Sequence, residues 1–269
     1  MSGMTGSLRL VVGLDASGRC ALRENYSTQL HRVLHLVPGG VPEEGVVYVL
    51  NPTGGVLQGD VLEADIRVEP GAHAIVTTPS STKIHRMDRH HAESRTRLAV
   101  EKGAILEYVP EPVIPFGGSR FLEDLSIDVA SGGKVLAWEI LAPGRQARGE
   151  VFAYDYLGLR LRVSEGGRVV LRERADLKPK EEPFGSLGMG DLAHYGVLMV
   201  LGGDPDQVTG ILRESLGEDR AGVSRLPGTG VLLKMLAFEG REIESAFRGV
   251  RERVLSILAG RPATPLRRM

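Results

Sequence analysis

Three glutamates stand where a carboxylate is costly. Glu107 lies inside Ile105-Leu-Glu-Tyr-Val109, Glu139 closes Val135-Leu-Ala-Trp-Glu, and Glu150 follows Gly149. A buried carboxylate destabilises a fold by several kcal/mol unless it is paired, and Arg86, Arg145 and Arg148 are candidate partners. Two readings follow. Such groups either form internal ion pairs that set strand register, or line a polar cavity along which a divalent cation passes without tight chelation. A pair of carboxylates such as Glu107 and Glu139 also suits a β-solenoid glycoside hydrolase or lyase acting by acid and base. That class displays aromatic platforms for sugars, and only 5% of this chain is aromatic.

The segment Asn51-Pro-Thr-Gly-Gly-Val-Leu-Gln-Gly-Asp60 is rich in glycine but lacks dinucleotide spacing and is followed by no helical pattern. A tight turn accounts for it, with Asp60 either bonding neighbouring amides or serving as an acidic ligand or contact. His85, His90 and His91, with Asp88 among them, are read first as solvated histidines of a loop or strand edge, and otherwise as a transient nickel or zinc site or the centre of a stand-alone storage protein. Their spacing matches no zinc-enzyme or finger pattern, and neighbouring residues on a strand face opposite ways, so His90 and His91 cannot share one ion there. No nucleophile elbow, phosphate-binding loop or kinase-like set is present.

The elements that must carry these side chains are mostly strands. The chain has 35 glycines and 15 prolines set between short β-branched runs, the punctuation of strands joined by tight turns. A weak repeat recurs at Val68-Glu-Pro-Gly71, Val100-Glu-Lys-Gly103, Val129-Ala-Ser-Gly132 and Val163-Ser-Glu-Gly166, with Asp15-Ala-Ser-Gly18 as a degenerate copy. Strand-turn-strand units of this kind bury their apolar faces by stacking, which predicts a mainly β fold of solenoid or sandwich type. The strand after each turn is drier than the one before it, so any charge inside it needs a reason.

Helices are expected only in the last third. Asp204-Pro205 opens one over about 204–217, and an apolar stripe from Ile243 to Leu258 marks another over about 242–259, ended by Gly260. A strand is expected from Gly230 to Phe238 between them. The pattern implies one domain over 1–269, β-rich across 8–202, with a mobile loop at Lys178 to Gly190 and a frayed tail from Arg261 to Met269.

Lys and Arg total 33 against 34 for Asp and Glu, so no general attraction to nucleic acid or anionic lipid is expected. The single cysteine, Cys20, fits a reducing compartment, and no signal peptide is visible. No apolar run nears the roughly 20 residues of a membrane helix, and a cytoplasmic protein is expected.

Taken in order, Asn51 to Asp60, Gly71-Ala-His-Ala-Ile-Val-Thr-Thr-Pro79, Thr82-Lys83-Ile-His-Arg86, and Trp138-Glu139 through Gly144-Arg145 to Gly149-Glu150 form a distinctive series. Gly103-Ala-Ile-Leu-Glu107 and Glu111-Pro-Val-Ile-Pro-Phe116 fall between them. The set resembles the urease accessory protein UreD (UreH) family. The resemblance implies a non-enzymatic chaperone joining the partners UreF and, through it, UreG to the urease apoprotein. Nickel then passes to the urease active site through an internal polar tunnel, with no tightly bound cofactor. It implies that Asp60, Glu107, Glu139 and Glu150 line that path or contact a partner, ordered by Lys83, Arg86 and Arg145. Transient nickel contacts are then expected at Asp60, Glu107, Glu139 and His85. The chain departs from the family at Gln58, where glycine is usual, and at His85, where an aromatic is usual.

Overall fold

The computed structural model describes residues 3–181, 192–215 and 220–266. Strands β1 (Thr5–Leu14) and β2 (Cys20–Ser27) form one hairpin, and β3 (Arg32–Pro38) and β4 (Glu44–Leu50) another. The chain then alternates between two sheets. Strand β5 (Val61–Val68) lies in the first, β6 (His73–Thr77) and β7 (Thr82–Ile84) in the second, and β8 (Ala92–Val100) in the first again. Strands β9 (Ile105–Tyr108) and β10 (Val113–Pro115) return to the second, β11 (Arg120–Val129) to the first and β12 (Lys134–Leu141) to the second. After a 3-10 turn at Gln146–Arg148, β13 (Tyr156–Glu165) and β14 (Arg168–Leu177) finish the first sheet. The second is extended by β15 (His194–Leu201), with helix α1 (Pro205–Glu214) following, then by β16 (Ala221–Arg225) and β17 (Val231–Ala237), before helix α2 (Gly240–Leu258).

The first sheet runs β14-β13-β11-β8-β5-β1-β2, and the second runs β16-β17-β15-β12-β9-β6-β4-β3. Successive coils stack in parallel, β5 on β8 on β11 on β13 and β4 on β6 on β9 on β12. This is the solenoid the repeat predicts. Gly71, Gly103 and Gly132 turn the chain from first sheet to second with φ of 81°, 76° and 83°, a left-handed conformation that only glycine adopts cheaply. The turns are themselves stacked, because the Gly71 amide donates to the Gly103 carbonyl and the Gly103 amide to the Gly132 carbonyl.

Between the sheets the inward rows next to these turns are apolar up to the last coil: Leu10, Ile66, Leu98, Ile127 and Val163, then Val12, Val68, Val100 and Val129, the second row ending on Glu165, which accepts from the Thr229 amide at 3.0 Å. The outer face of the second sheet is dry as well, because Leu136, Trp138 and Ile140 of β12 meet Phe247, Val250 and Val254 of α2. Burial on both faces explains why the second strand of each repeat reads as a continuous apolar run. Helix α1 starts on Pro205, with the Asp204 carboxylate accepting from the Asp206 amide. Helix α2 starts two residues before the expected Glu242, through a reciprocal cap between Glu239 and Glu242. Gly260 follows its end with φ of 68°.

Four expectations change or fall outside the description. Residues 216–217, expected at the end of the first helix, and most of the expected mobile loop, from 182 onward, lie outside the described residues. Strand β16 was not expected; it pairs with the expected β17 strand. The tail from Arg261 to Leu266 is pinned, not frayed, because Arg261 pairs with Glu44, Thr264 bonds Glu44, and Ala263 and Leu266 join the apolar cluster under α2. No described helix is long and apolar enough to cross a membrane.

Candidate functional site in the inter-sheet interior

Away from the glycine turns the inward rows change character. In the first sheet the row after Leu8, Ala64, Thr96 and Leu125 is Leu62, Ser94, Glu123 and Leu159. In the second sheet Tyr108 stands beside Ala137, and one step further Glu139 stands beside Val197, which pairs with Lys234. Glu123 and Glu139 thus project into the same interlayer from opposite sheets. Only burial and, for Glu139, the charge of Glu123 act on the pair, and no hydrogen bond or ion pair to either is found among the described residues.

Two cavities border this pair. A small one of about 120 Å³ is lined by His31, Thr78, Thr96, Tyr108 and Glu111 together with both glutamates. A wider groove of about 850 Å³ opens between the last strands of the two sheets, lined by Tyr154, Tyr195, Glu173 and Lys234 and again by both glutamates. The two spaces therefore share the carboxylate pair as a common wall. Burial pushes the Glu123 carboxyl up to about 7. Glu139 lies well above the usual carboxylate range, first through burial and then through the charge of Glu123. Burial, and then the charges of Glu139 and Glu123, raise the Tyr108 phenol. Burial also lowers His31 to about 4, so its imidazole is neutral at pH 7, with Nε2 unpartnered among the described residues. The fully buried Tyr154 hydroxyl has no hydrogen-bond partner there either.

The other residues singled out in the sequence sit elsewhere. Glu107 is on the outer face of the second sheet, where Arg251 of α2 donates to its Oε2 and His73 Nε2 lies 2.8 Å from its Oε1. Arg86, Arg145 and Arg148 do not reach it. Because Glu107 and Glu139 face opposite sides of one sheet, they cannot serve one substrate as acid and base. Asp60 is buried in its turn, accepting from the Met4 amide at 3.0 Å and the Leu57 amide at 2.8 Å, the turn-bonding alternative for this residue.

The remaining candidates gather on loops stacked at the end of the solenoid opposite the glycine turns. The Val56 amide donates to the Lys83 carbonyl, the Phe116 amide to Ile84, and the Gly118 amide to Ala153. His85 meets Phe116 edge-on at 5.0 Å, and Arg145 lies over the same ring at 4.0 Å. Arg145 Nε donates to Glu150 at 2.8 Å, and the Gly117 amide donates to it at 2.9 Å. With Arg145 foremost, these donors hold the Glu150 carboxyl down to about 2. Arg86 is exposed beside Asp88, Lys83 is exposed, and the His91 ring bonds Glu93. No group of three or more His, Cys, Asp or Glu suited to hold a metal occurs among the described residues.

Glu123 was missed in the sequence because Glu-Asp within Phe121-Leu-Glu-Asp-Leu125 reads as a wet strand edge. Its phase with Phe121, Leu125 and Ile127 was the available signal.

Fold and interior define a two-sheet β-solenoid capped by helices, with a carboxylate pair between its sheets. A family model described as UreD urease accessory protein matches residues 4–269. Urease accessory protein UreD of Haloarcula marismortui is 32% identical over 269 residues, covering 97% of this chain and 89% of that protein. Urease accessory protein UreD 2 of Streptomyces griseus is 34% identical over 263 residues, covering 93% and 89%. Urease accessory protein UreD of Mycolicibacterium gilvum is 32% identical over 249 residues, covering 90% of each. The chain belongs to the UreD urease accessory protein family.

Proposed function

We infer that this chain is a cytoplasmic maturation scaffold that joins the urease apoprotein to UreF and, through it, UreG, and that nickel in transit crosses its interior. Family membership supports the role in urease maturation. The observation that carries the interior path is the wall shared by the small cavity and the open groove, the Glu123 and Glu139 pair. Two acid groups without fixed cationic partners, which burial makes hold their protons more tightly, exchange those protons for a divalent ion, yet two ligands fall short of the full set a tight site supplies, so the ion can leave. A carrier of cargo needs this weak hold. Lys83, Arg86, Arg145, Glu150 and His85 belong in this reading to surfaces that meet partners, since they lie in or beside the stacked loops and outside the interior, whereas Asp60, buried with both oxygens bonded, holds its turn.

The test is nickel per urease and urease activity after maturation in a host that supplies the remaining accessory proteins. The Glu123→Gln/Glu139→Gln variant is expected to lower both at least several-fold while still co-purifying with UreF and urease. Full nickel content in that variant would sink the interior path, and full activity without this chain would sink the scaffold.

A further inference from the structure

One polar group of the small cavity is left unused by the carboxylate pair. His31 lines that cavity, is 9% exposed, and has no hydrogen-bond partner for Nε2 among the described residues. A ring nitrogen sealed from water without a partner costs stability, and an apolar side chain of similar size avoids that cost. The backbone nonetheless holds the imidazole in place. The His31 amide donates to the Thr28 carbonyl at 3.0 Å. Leu30 beside it is buried so close to β1 that a methyl group on Gly6 would come within 2.6 Å of Leu30 Cβ. Gln29 carries φ of 36°, a left-handed conformation that persists in a residue with a side chain only where the surroundings fix the turn.

The cavity follows the stacked coils from His31 to the glutamates. His31 immediately precedes β3, and Glu139 is on β12, four places away in the second sheet, roughly 19 Å at the usual spacing between strands. Thr78, Ser94, Thr96 and Tyr108 line the cavity as well. The imidazole and the carboxylate pair are therefore too far apart to grip one ion together. They also differ in the ions they suit. Carboxylate and hydroxyl oxygens serve hard ions such as magnesium and calcium, whereas a neutral imidazole favours borderline ions such as nickel and zinc.

We propose that His31 is a nitrogen ligand for the ion in transit, and that through Nε2 it makes the interior select borderline divalent cations over hard ones. The glutamates supply attraction without choice, and the imidazole supplies the choice. A single nitrogen ligand retains the ion no more firmly than the pair does, which keeps the path open. The proposal rests on the interior path put forward above.

The experiment is equilibrium dialysis of the full chain against limiting NiCl2, with and without a large excess of MgCl2, and urea unfolding of each variant beside it. All proteins carry His35→Gln, His90→Gln and His91→Gln, which removes exposed imidazoles from the count. With His31 in place, nickel is expected to stay bound in magnesium. His31→Leu should lower the nickel bound in magnesium at least several-fold, weaken the imidazole signature in the nickel X-ray absorption spectrum, and raise the urea midpoint. His31→Gln, which puts a hard amide oxygen where the ring nitrogen was, should lose the preference for nickel in the same way, and it serves if the leucine variant does not fold. An unchanged ratio of nickel to magnesium in the folded variant overturns the assignment of His31, whatever happens to stability. If Glu123→Gln/Glu139→Gln binds nickel as fully as its parent, the interior path itself fails. If that variant loses nickel while His31→Gln keeps the preference, the role of His31 alone fails.

Discussion

His73 Nε2 lies 2.8 Å from Glu107 Oε1, and both side chains are sealed between the second sheet and helix α2. The opposite ring nitrogen, Nδ1, lies 2.7 Å from Arg261 Nη2, a group that can only donate. Nδ1 also lies 3.1 Å from Glu44 Oε2, so the ring is wedged between two carboxylates and a guanidinium. Around it two carboxylates, Glu44 and Glu107, face two guanidinium groups, Arg251 and Arg261, in one buried network. Removing one partner leaves a charge stranded in the dry layer. Arg251→Met is expected to cost about 3–5 kcal/mol, read as a lower urea midpoint, whereas the network removed as a whole would cost far less. A loss below about 1 kcal/mol would mean that water reaches Glu107.

The Glu123 and Glu139 pair makes stability depend on pH. A carboxyl whose value in the folded state is raised binds its proton more tightly there than in the unfolded chain. Its favourable share of stability is complete below the unfolded value near 4.5 and is lost as pH climbs through the folded one, about 7 for Glu123. Wild-type protein should therefore lose on the order of 2 kcal/mol relative to Glu123→Gln/Glu139→Gln between pH 5 and pH 8, measured by urea unfolding of both proteins at each pH. Parallel stability curves would show the two carboxyls to be hydrated and independent.

The solenoid was legible because its signals are local: a glycine at each left-handed turn and a doubly dry strand after it leave traces in sequence. The partners of the acids were not. Glu107 was recognised as a charge in an apolar strand, but Arg251 lies 144 residues away and reaches it only because α2 folds back over the second sheet. Glu123 hid beside Asp124, since alternation along one strand does not say which of two adjacent acids faces inward until the strand is placed between its neighbours. The tail was misjudged for the same reason, as the anchors of Arg261 and Thr264 are on β4 and β6, near the other end of the chain.

Asp60 offers a test of role. Both of its oxygens accept backbone amides within a turn that is 3% exposed at this residue, and Gly59 beside it holds φ of 78°. Asp60→Ala leaves two buried amides without acceptors and should cost about 2–4 kcal/mol in urea unfolding. Asp60→Asn keeps one acceptor and should recover about half of that loss. If Asp60→Ala instead left stability intact and lowered only nickel loading, the residue would belong to the cation path.

The seating of α2 depends on a gap as well as on charges. Gly196 of β15 faces the helix, and a methyl group there would come within 2.5 Å of Ile243 Cγ2 and 2.8 Å of Phe247 Cζ. Phe247 also packs against Trp138 at 6.0 Å between ring centroids, so it cannot retreat without moving the indole that holds the Pro110 carbonyl. Gly196→Ala must then lift the helix or force both side chains from their rotamers, at a cost of about 1–3 kcal/mol. Lifting would also lengthen the reach from Arg251 to Glu107 and from Arg248 to Glu111, since both arginines ride on the same helix. Gly196→Ala combined with Arg251→Met should therefore cost clearly less than the two separate losses added together, a non-additivity of at least about 0.5 kcal/mol that a double-mutant cycle in urea would resolve. Strict additivity would mean that the helix accepts the methyl group without moving, and that its grip on the sheet rests on packing at Phe247 independently of the ion pairs.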